Sequence, residues 1–143
     1  MGADQPDGQG FQTVRETVIQ QIGGEEVLRD LVKQFYDLVE TLPEAARLRH
    51  LHFQGHGLDH ARREQFDFLS GFLGGRRYYE ERHGHMDLRE IHAHVPITIE
   101  DARTWLSCMD RALALEGLEG AHIEKLRVAF ERVALRLVNE TPD

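Results

Sequence analysis

Apolar side chains recur every three or four positions along most of the chain, which is the pattern of one face of an α-helix. In the first half this pattern predicts helices over three segments: 11–22, 27–39 and 59–73. The paired glycines Gly23–Gly24 end the first helix, and Gly74–Gly75 closes the third. Pro43 ends or restarts the second helix, because proline lacks the N–H that a helix interior needs.

The second half of the chain is predicted to contain two further long helices. Thr98 has the character of an N-cap, with Asp101 three residues later as a weak capping box, and it opens a helix that carries Trp105. The last helix is predicted from about Gly120 to Asn139. Three intervening segments are predicted as a short helical turn (44–50), a loop (53–58) and a polar, irregular stretch (76–87). No segment alternates long enough for a strand, so the predicted fold class is all-α with six or so helices.

Polar groups interrupt the apolar helix faces at a few places. Gln65 lies within a stripe of apolar residues, and burying an unpaired amide costs about 1–3 kcal/mol. Gln65 is therefore either paired with something or placed at the edge of a stripe shifted toward Leu69. Tyr36 and Trp105 also lie on apolar faces, and each side chain carries one hydrogen-bonding group. For either aromatic residue taken alone, simple core packing is the more common explanation.

His92 stands in the segment LREIHAHVPI, just before the helix-breaking Pro96. A lone histidine on a short helix is more often structural or exposed than a ligand. Combined with a crevice lined by aromatic side chains, however, one histidine and a few polar groups suit a flat apolar macrocycle with an iron centre.

Charge and composition exclude several classes of partner. The formal net charge of −8 disfavours a nucleic-acid surface, which requires a basic field. The single cysteine allows no internal disulfide and fits a reducing compartment, so a cytoplasmic location is expected. No apolar run is long enough for a membrane span. The acidic, glycine-rich residues 1–10 are expected to be a disordered leader, followed by one domain over 11–143.

The string GGRRYYEERHGHMDLREIHAHVPITIEDARTWLSCMDRAL, residues 74–113, resembles the signature of group II truncated haemoglobins. The upstream block IGGEEVLRDLVKQFYDLV is also similar to that family, and the resemblance extends over about residues 19–138. It implies a truncated globin with a two-over-two helical sandwich, an extra N-terminal helix and one haem b. His92 falls on the position of the iron ligand, and Tyr36 and Trp105 fall on distal positions.

The resemblance implies a set of roles around the haem. His92 would hold the iron, with its other ring nitrogen donating to a carbonyl such as that of Leu88. Tyr36, Trp105 and Gln65 would donate hydrogen bonds to bound oxygen, and either His52 or Phe53 would line the distal rim. The remaining haem contacts implied are Phe68 and Trp105, with Tyr79, Arg82 and Arg89 as candidates for the propionates.

Three positions depart from the family pattern. Ile91 stands where many members have arginine, and His94 stands where many have proline. His94 is close enough to His92 in sequence to compete as the iron ligand. Glu64 occupies a position where the family often has a basic residue for a propionate.

The implied function is reversible binding of O2, NO, CO or peroxide, with an unidentified electron donor for any turnover and a monomer or weak homodimer as the assembly. Each hydrogen bond to oxygen, at about 1–1.5 kcal/mol, would slow its release roughly tenfold. Two or three such bonds favour oxygen chemistry or sensing over transport. The alternative is a helical interaction or metal-binding protein without haem, since the chain has nine histidines. A zinc site would need three or four converging ligands, and neither a cysteine pair nor an H-E-x-x-H motif is present.

Overall fold

The computed structural model describes residues 16–54 and 57–140, and within these ranges it contains helices and connecting turns but no strand. The helices are α1 (Val18–Ile22), α2 (Glu25–Thr41), a 3₁₀ turn (Pro43–Ala45), α3 (Ala46–Gln54), α4 (Leu58–Phe72), α5 (Tyr78–His83), α6 (Leu88–Ile91), α7 (Ile99–Leu115) and α8 (Ala121–Arg136). The predicted all-α class is therefore confirmed. The predicted leader and the first part of the 11–22 helix lie outside the described residues.

The core forms where α2 packs against both α4 and α7, while α8 packs on α7 and α5 packs on α4. Leu28, Leu31 and Phe35 of α2 are fully buried at the centre of this arrangement, together with Cys108 of α7. Burying each large apolar side chain contributes about 1.5–3 kcal/mol. The polar faces of the same helices remain at the surface, as the hydrophobic periodicity predicts.

Local sequence signals fix where the helices begin and end. Thr17 and Gln20 form a capping box at the start of α1, and Gly23 ends that helix in the left-handed conformation with φ 118°. The predicted capping box of α7 is confirmed, because the Thr98 hydroxyl accepts from the Asp101 amide at 3.1 Å and the Asp101 carboxylate accepts from the Thr98 amide at 2.9 Å.

The structure departs from the predicted elements most clearly at three places. The polar stretch 76–87 contains helix α5, which forms because the side chain of Tyr79 is buried and Gly84 provides a left-handed C-cap. Helix α3 continues through 53–54, where a loop was expected. The last helix ends at Arg136 instead of Asn139, because Asn139 bonds to the segment before α7.

Across the part of the chain that the structure describes, no helix combines the length and the apolar character needed to cross a membrane.

Candidate functional site

Helices α2 to α8 surround a cavity of about 570 Å³. Its volume lies in the range of about 300–1,000 Å³ that is usual for small-molecule and cofactor sites. Much of its lining is apolar and comes from separate helices and loops: Leu48, Leu51, Phe68, Phe72, Val95, Ile97, Phe130 and Leu137. The polar groups that share this cavity decide what it can hold.

His92 lines the cavity at the C-cap of the short helix α6. Its Nδ1 lies 2.8 Å from the carbonyl oxygen of Leu88, the acceptor expected from the sequence. Because a carbonyl only accepts, Nδ1 must carry the proton, and Nε2 of the neutral ring keeps a free lone pair. Burial holds the pKa of His92 below its usual value of 6.5, despite the opposing effect of the Leu88 carbonyl. The ring is therefore a neutral potential metal ligand.

His52 of α3 has the same tautomer on another part of the cavity wall. Its Nδ1 lies 2.7 Å from the carbonyl oxygen of Leu48. Burial lowers the pKa of His52 as well, and the nearby His92 contributes in the same direction. Neutral His52 therefore presents an Nε2 that accepts a hydrogen bond but does not donate one. The side chain of Phe53, the alternative at this corner, lies outside the described part of the structure.

Tyr36 of α2 lines the cavity although its side chain is only 2% exposed. Its ring packs edge-on against Phe35 and His52, with centroid distances of 4.8 and 5.7 Å. Arg62 approaches the ring with Cζ 5.8 Å from the centroid. Burial raises the pKa of Tyr36 well above its usual range, so the hydroxyl keeps its proton. Among the described residues, no group forms a hydrogen bond with that hydroxyl.

Trp105 and Gln65 bring two further donors to the cavity wall. The indole of Trp105 packs between Phe35 and Phe130, with centroids 5.1 and 5.6 Å away. Within the described ranges, neither its indole N–H nor the amide of Gln65 has a hydrogen-bond partner. Gln65 is half-buried and lines the cavity from α4.

The residues considered for the propionates are placed differently from one another. Tyr79 is buried, lines the cavity and packs on Phe68 and His83, with centroids 5.7 and 4.3 Å away. Arg82 lies outside the lining and forms ion pairs with Glu64 and Asp67. Arg89 is exposed and also lies outside the lining.

The Glu64 ion pairs could not be foreseen from the sequence. The Glu64 carboxylate at the cavity wall accepts from Arg82 and is 2.9 Å from His83 Nε2. Burial raises the pKa of Glu64, but its hydrogen bonds with Arg82 and His83 outweigh that effect and lower the pKa overall. The partners lie 18 and 19 positions apart on α4 and α5. Because these residues belong to two different helices, the periodicity within either helix does not indicate that they meet.

His94 also borders the cavity, but its side chain is more exposed than that of His92. No group of three or more His, Cys, Asp or Glu side chains in the described ranges is arranged to hold a metal ion. The histidine-rich composition therefore does not converge on a zinc-type centre there. The cavity instead offers the free imidazole nitrogen of His92, with that of His52 on another part of the wall, an apolar lining, and donors without partners among the described residues. These groups fit an iron macrocycle with a small polar ligand.

Comparison with known proteins agrees with this chemistry. The family model of the bacterial-like globins matches residues 17–139. The chain is 40% identical over 134 residues to the group 2 truncated hemoglobin YjbI of Bacillus subtilis, covering 94% of each chain. The group II 2-on-2 hemoglobin of Agrobacterium tumefaciens superposes with a TM-score of 0.82 at 35% identity, covering 92% of this chain and all of that one.

A second solved structure, the truncated oxygen-avid haemoglobin from Bacillus subtilis, has a TM-score of 0.76 at 39% identity and covers 87% of this chain and all of that one. The fold and the cavity thus define a haem-binding globin. The chain belongs to the bacterial-like globins and, among them, to the group II truncated haemoglobins with the two-over-two helical fold. Such a globin binds oxygen at its haem, and the alternative of a histidine-rich protein without haem is not favoured.

Proposed function

We propose that the chain binds haem b through Nε2 of His92 and uses it to bind oxygen tightly. The observation that carries this proposal is the buried hydroxyl of Tyr36, which lines the same cavity as His92 and has no hydrogen-bond partner among the described residues. Leaving such a group unpaired costs about 1–3 kcal/mol. That cost is recovered when a small polar ligand enters the cavity. Haem, when bound, supplies a ferrous iron that takes up diatomic molecules reversibly.

The polar groups on the ligand side of the haem would comprise several hydrogen-bond donors and one acceptor. The hydroxyl of Tyr36 and the indole N–H of Trp105 would donate to a small ligand that carries partial negative charge, and Gln65 would add a third donor. His52 with a bare Nε2 would accept from a neighbouring donor at neutral pH. Its tautomer, set by the carbonyl of Leu48, supports this assignment.

The haem contacts are proposed on the same basis. Phe68 and Trp105 line the cavity and would pack on the macrocycle, and Tyr79 would meet a propionate with its hydroxyl. Arg82 would reach a propionate only by releasing Glu64 and Asp67. Arg89 is exposed and lies outside the lining, and it is the remaining candidate for a propionate.

Oxygen is the proposed main ligand, with NO, CO and peroxide as further ligands of the same pocket. Two or more donors at about 1–1.5 kcal/mol each favour slow release, hence oxygen chemistry or sensing rather than transport. Turnover would need an outside electron donor. We place the protein in the cytoplasm, in agreement with the free thiol of Cys108, as a monomer or weak homodimer.

Spectroscopy of histidine variants tests the proposed ligation. The purified protein should be red, and His92→Ala should lose haem or change its ligation spectrum. His94→Ala is the matched control, two residues away on the same loop, and should keep the wild-type spectrum. If His94→Ala lost the spectrum while His92→Ala retained it, the ligand would be His94.

A further inference from the structure

The segment between His92 and α7 is held from outside by Asn139, which follows α8. The side chain of Asn139 bonds on both sides of Pro96. Its Oδ1 accepts from the amide of Ile97 at 2.8 Å, and its Nδ2 donates to the carbonyl of Val95 at 2.8 Å. The backbone amides of Asn139 and Glu140 also donate to the carbonyl of Ile97, at 2.9 and 3.0 Å.

These contacts connect directly to the proposed iron ligand. The amide of Val95 donates to the carbonyl of His92 at 3.0 Å, and both the amide and the ring Nδ1 of His92 bond to the carbonyl of Leu88, at 3.0 and 2.8 Å. The side-chain amide of Asn139 therefore holds Val95, and Val95 in turn bonds to the carbonyl of His92, whose own amide and ring both bond to Leu88.

The segment needs such an external anchor. Helix α6 has only four residues, and Pro96 has no N–H with which to extend local hydrogen bonding. The side chains of Val95 and Ile97 line the cavity, so displacing this segment would change the wall of the site as well as the position of His92.

We infer that Asn139 is a positioning residue for the proximal histidine, an inference that rests on the proposed ligation by His92. A carboxamide presents a donor and an acceptor together, which matches the Val95 carbonyl and the Ile97 amide. Aspartate supplies only acceptors, and leucine supplies neither. Asn139 is itself exposed, so replacing it leaves the buried core intact.

The test compares Asn139→Leu and Asn139→Asp with Glu140→Gln. The control alters the next side chain but keeps the backbone amide that bonds to Ile97. The readouts are the iron–histidine stretching band of the reduced protein, the rate of haem transfer to excess apomyoglobin, and hydrogen exchange of the Ile97 amide in protein without haem.

Asn139→Leu is expected to shift or broaden the iron–histidine band, to speed haem loss by about fivefold and to speed exchange at Ile97, since two hydrogen bonds are lost. Asn139→Asp should fall between leucine and wild type, because the acceptor for Ile97 remains. Glu140→Gln should match wild type.

A wild-type band and wild-type haem loss in Asn139→Leu would overturn the inference, whatever happens to the melting temperature. If instead His92→Ala kept the same iron–histidine band, the proposed ligation by His92 would fail. Faster exchange of the Ile97 amide in Asn139→Leu without haem would still show that Asn139 holds this segment. The two failures are thus distinguishable.

Discussion

The ring of His52 lies edge-on to the ring of Tyr36, with centroids 5.7 Å apart and planes at 89°. One ring belongs to α3 and the other to α2, so a histidine of the cavity wall packs against the buried ring of Tyr36. The tautomer of His52 is fixed by the carbonyl of Leu48 at 2.7 Å. The Tyr36 hydroxyl therefore keeps its proton and can donate, whereas Nε2 of His52 accepts when the ring is neutral and donates when the ring is protonated.

The first prediction concerns Tyr36 and Trp105. Tyr36→Phe and Trp105→Phe should each raise the oxygen dissociation rate about tenfold, because each removes one donor worth about 1–1.5 kcal/mol. The double variant should be non-additive, since both donors serve one acceptor. Stopped-flow displacement of oxygen by CO measures the rates. Phe72→Leu, which lines the cavity without a polar group, is the control, and unchanged rates in both single variants would contradict the distal assignment.

The second prediction is a pH dependence that originates at His52. Burial lowers its pKa below 6.5, so the neutral form prevails at pH 7 and protonation occurs only in the acid range. Protonation adds an Nε2–H donor on the cavity side and should slow dissociation of oxygen as the pH falls below about 6.5. His52→Phe should abolish this dependence, and His50→Phe on the same helix serves as a control. Identical pH profiles in wild type and His52→Phe would exclude His52 from the distal pocket.

The same pKa shift has a consequence for folding. Because the folded state resists protonation of His52, the unfolded chain takes up the extra proton below pH 6.5, and stability falls as the pH decreases from that value toward the folded-state pKa. His52→Phe should reduce this acid-side loss, measured by urea unfolding at pH 7 and pH 5. An equal loss in both proteins would contradict the assignment of that proton to His52.

The third prediction concerns Glu64. Glu64→Gln should weaken its pairing with Arg82 and His83, which are partly exposed, so the stability cost should stay at about 1 kcal/mol or less. Adding Asp67→Asn frees Arg82 from its second carboxylate, and Arg82 should then slow haem loss severalfold by pairing with a propionate. Arg82→Met in the Glu64→Gln/Asp67→Asn background should cancel the gain. Haem transfer to excess apomyoglobin measures both rates, and an equal rate in wild type and the double variant would argue against a propionate role for Arg82.

The fourth prediction concerns the ion pair between Arg47 of α3 and Asp101 of α7, with Nε and Oδ1 2.8 Å apart. Asp101 is only 4% exposed, so Arg47→Met leaves a buried carboxylate with the Thr98 amide as its remaining partner. The cost should be about 1–3 kcal/mol in urea unfolding. Adding Asp101→Asn should destabilise the protein by less than the sum of the two single changes. Strict additivity would mean that the pair does not couple α3 to α7.

Local patterns in the sequence predict most of this fold but only part of the site. The capping box at Thr98 and the glycines after Ile22 act within a few residues, so the sequence predicts them directly. The hydrogen bond of His92 to Leu88 follows from one helical turn. The contacts of Glu64 with Arg82, and of Asn139 with Val95, join distant segments whose encounter depends on how the helices pack. Helix α5 was missed because its stability depends on the burial of Tyr79 against α4, which its polar sequence does not reveal.

Cys108 is the only cysteine of the chain and lies in the core at 1% exposure. Burial raises the pKa of its thiol, so it is neither ionised nor reachable while α7 stays packed. A thiol-specific dye should therefore label the protein only when the helix that carries Trp105 opens. Labelling of Cys108, recorded together with the haem spectrum, would distinguish two routes of haem loss. Haem that leaves an intact fold lowers the haem absorbance without labelling, whereas haem lost through unfolding lowers the absorbance while Cys108 becomes labelled.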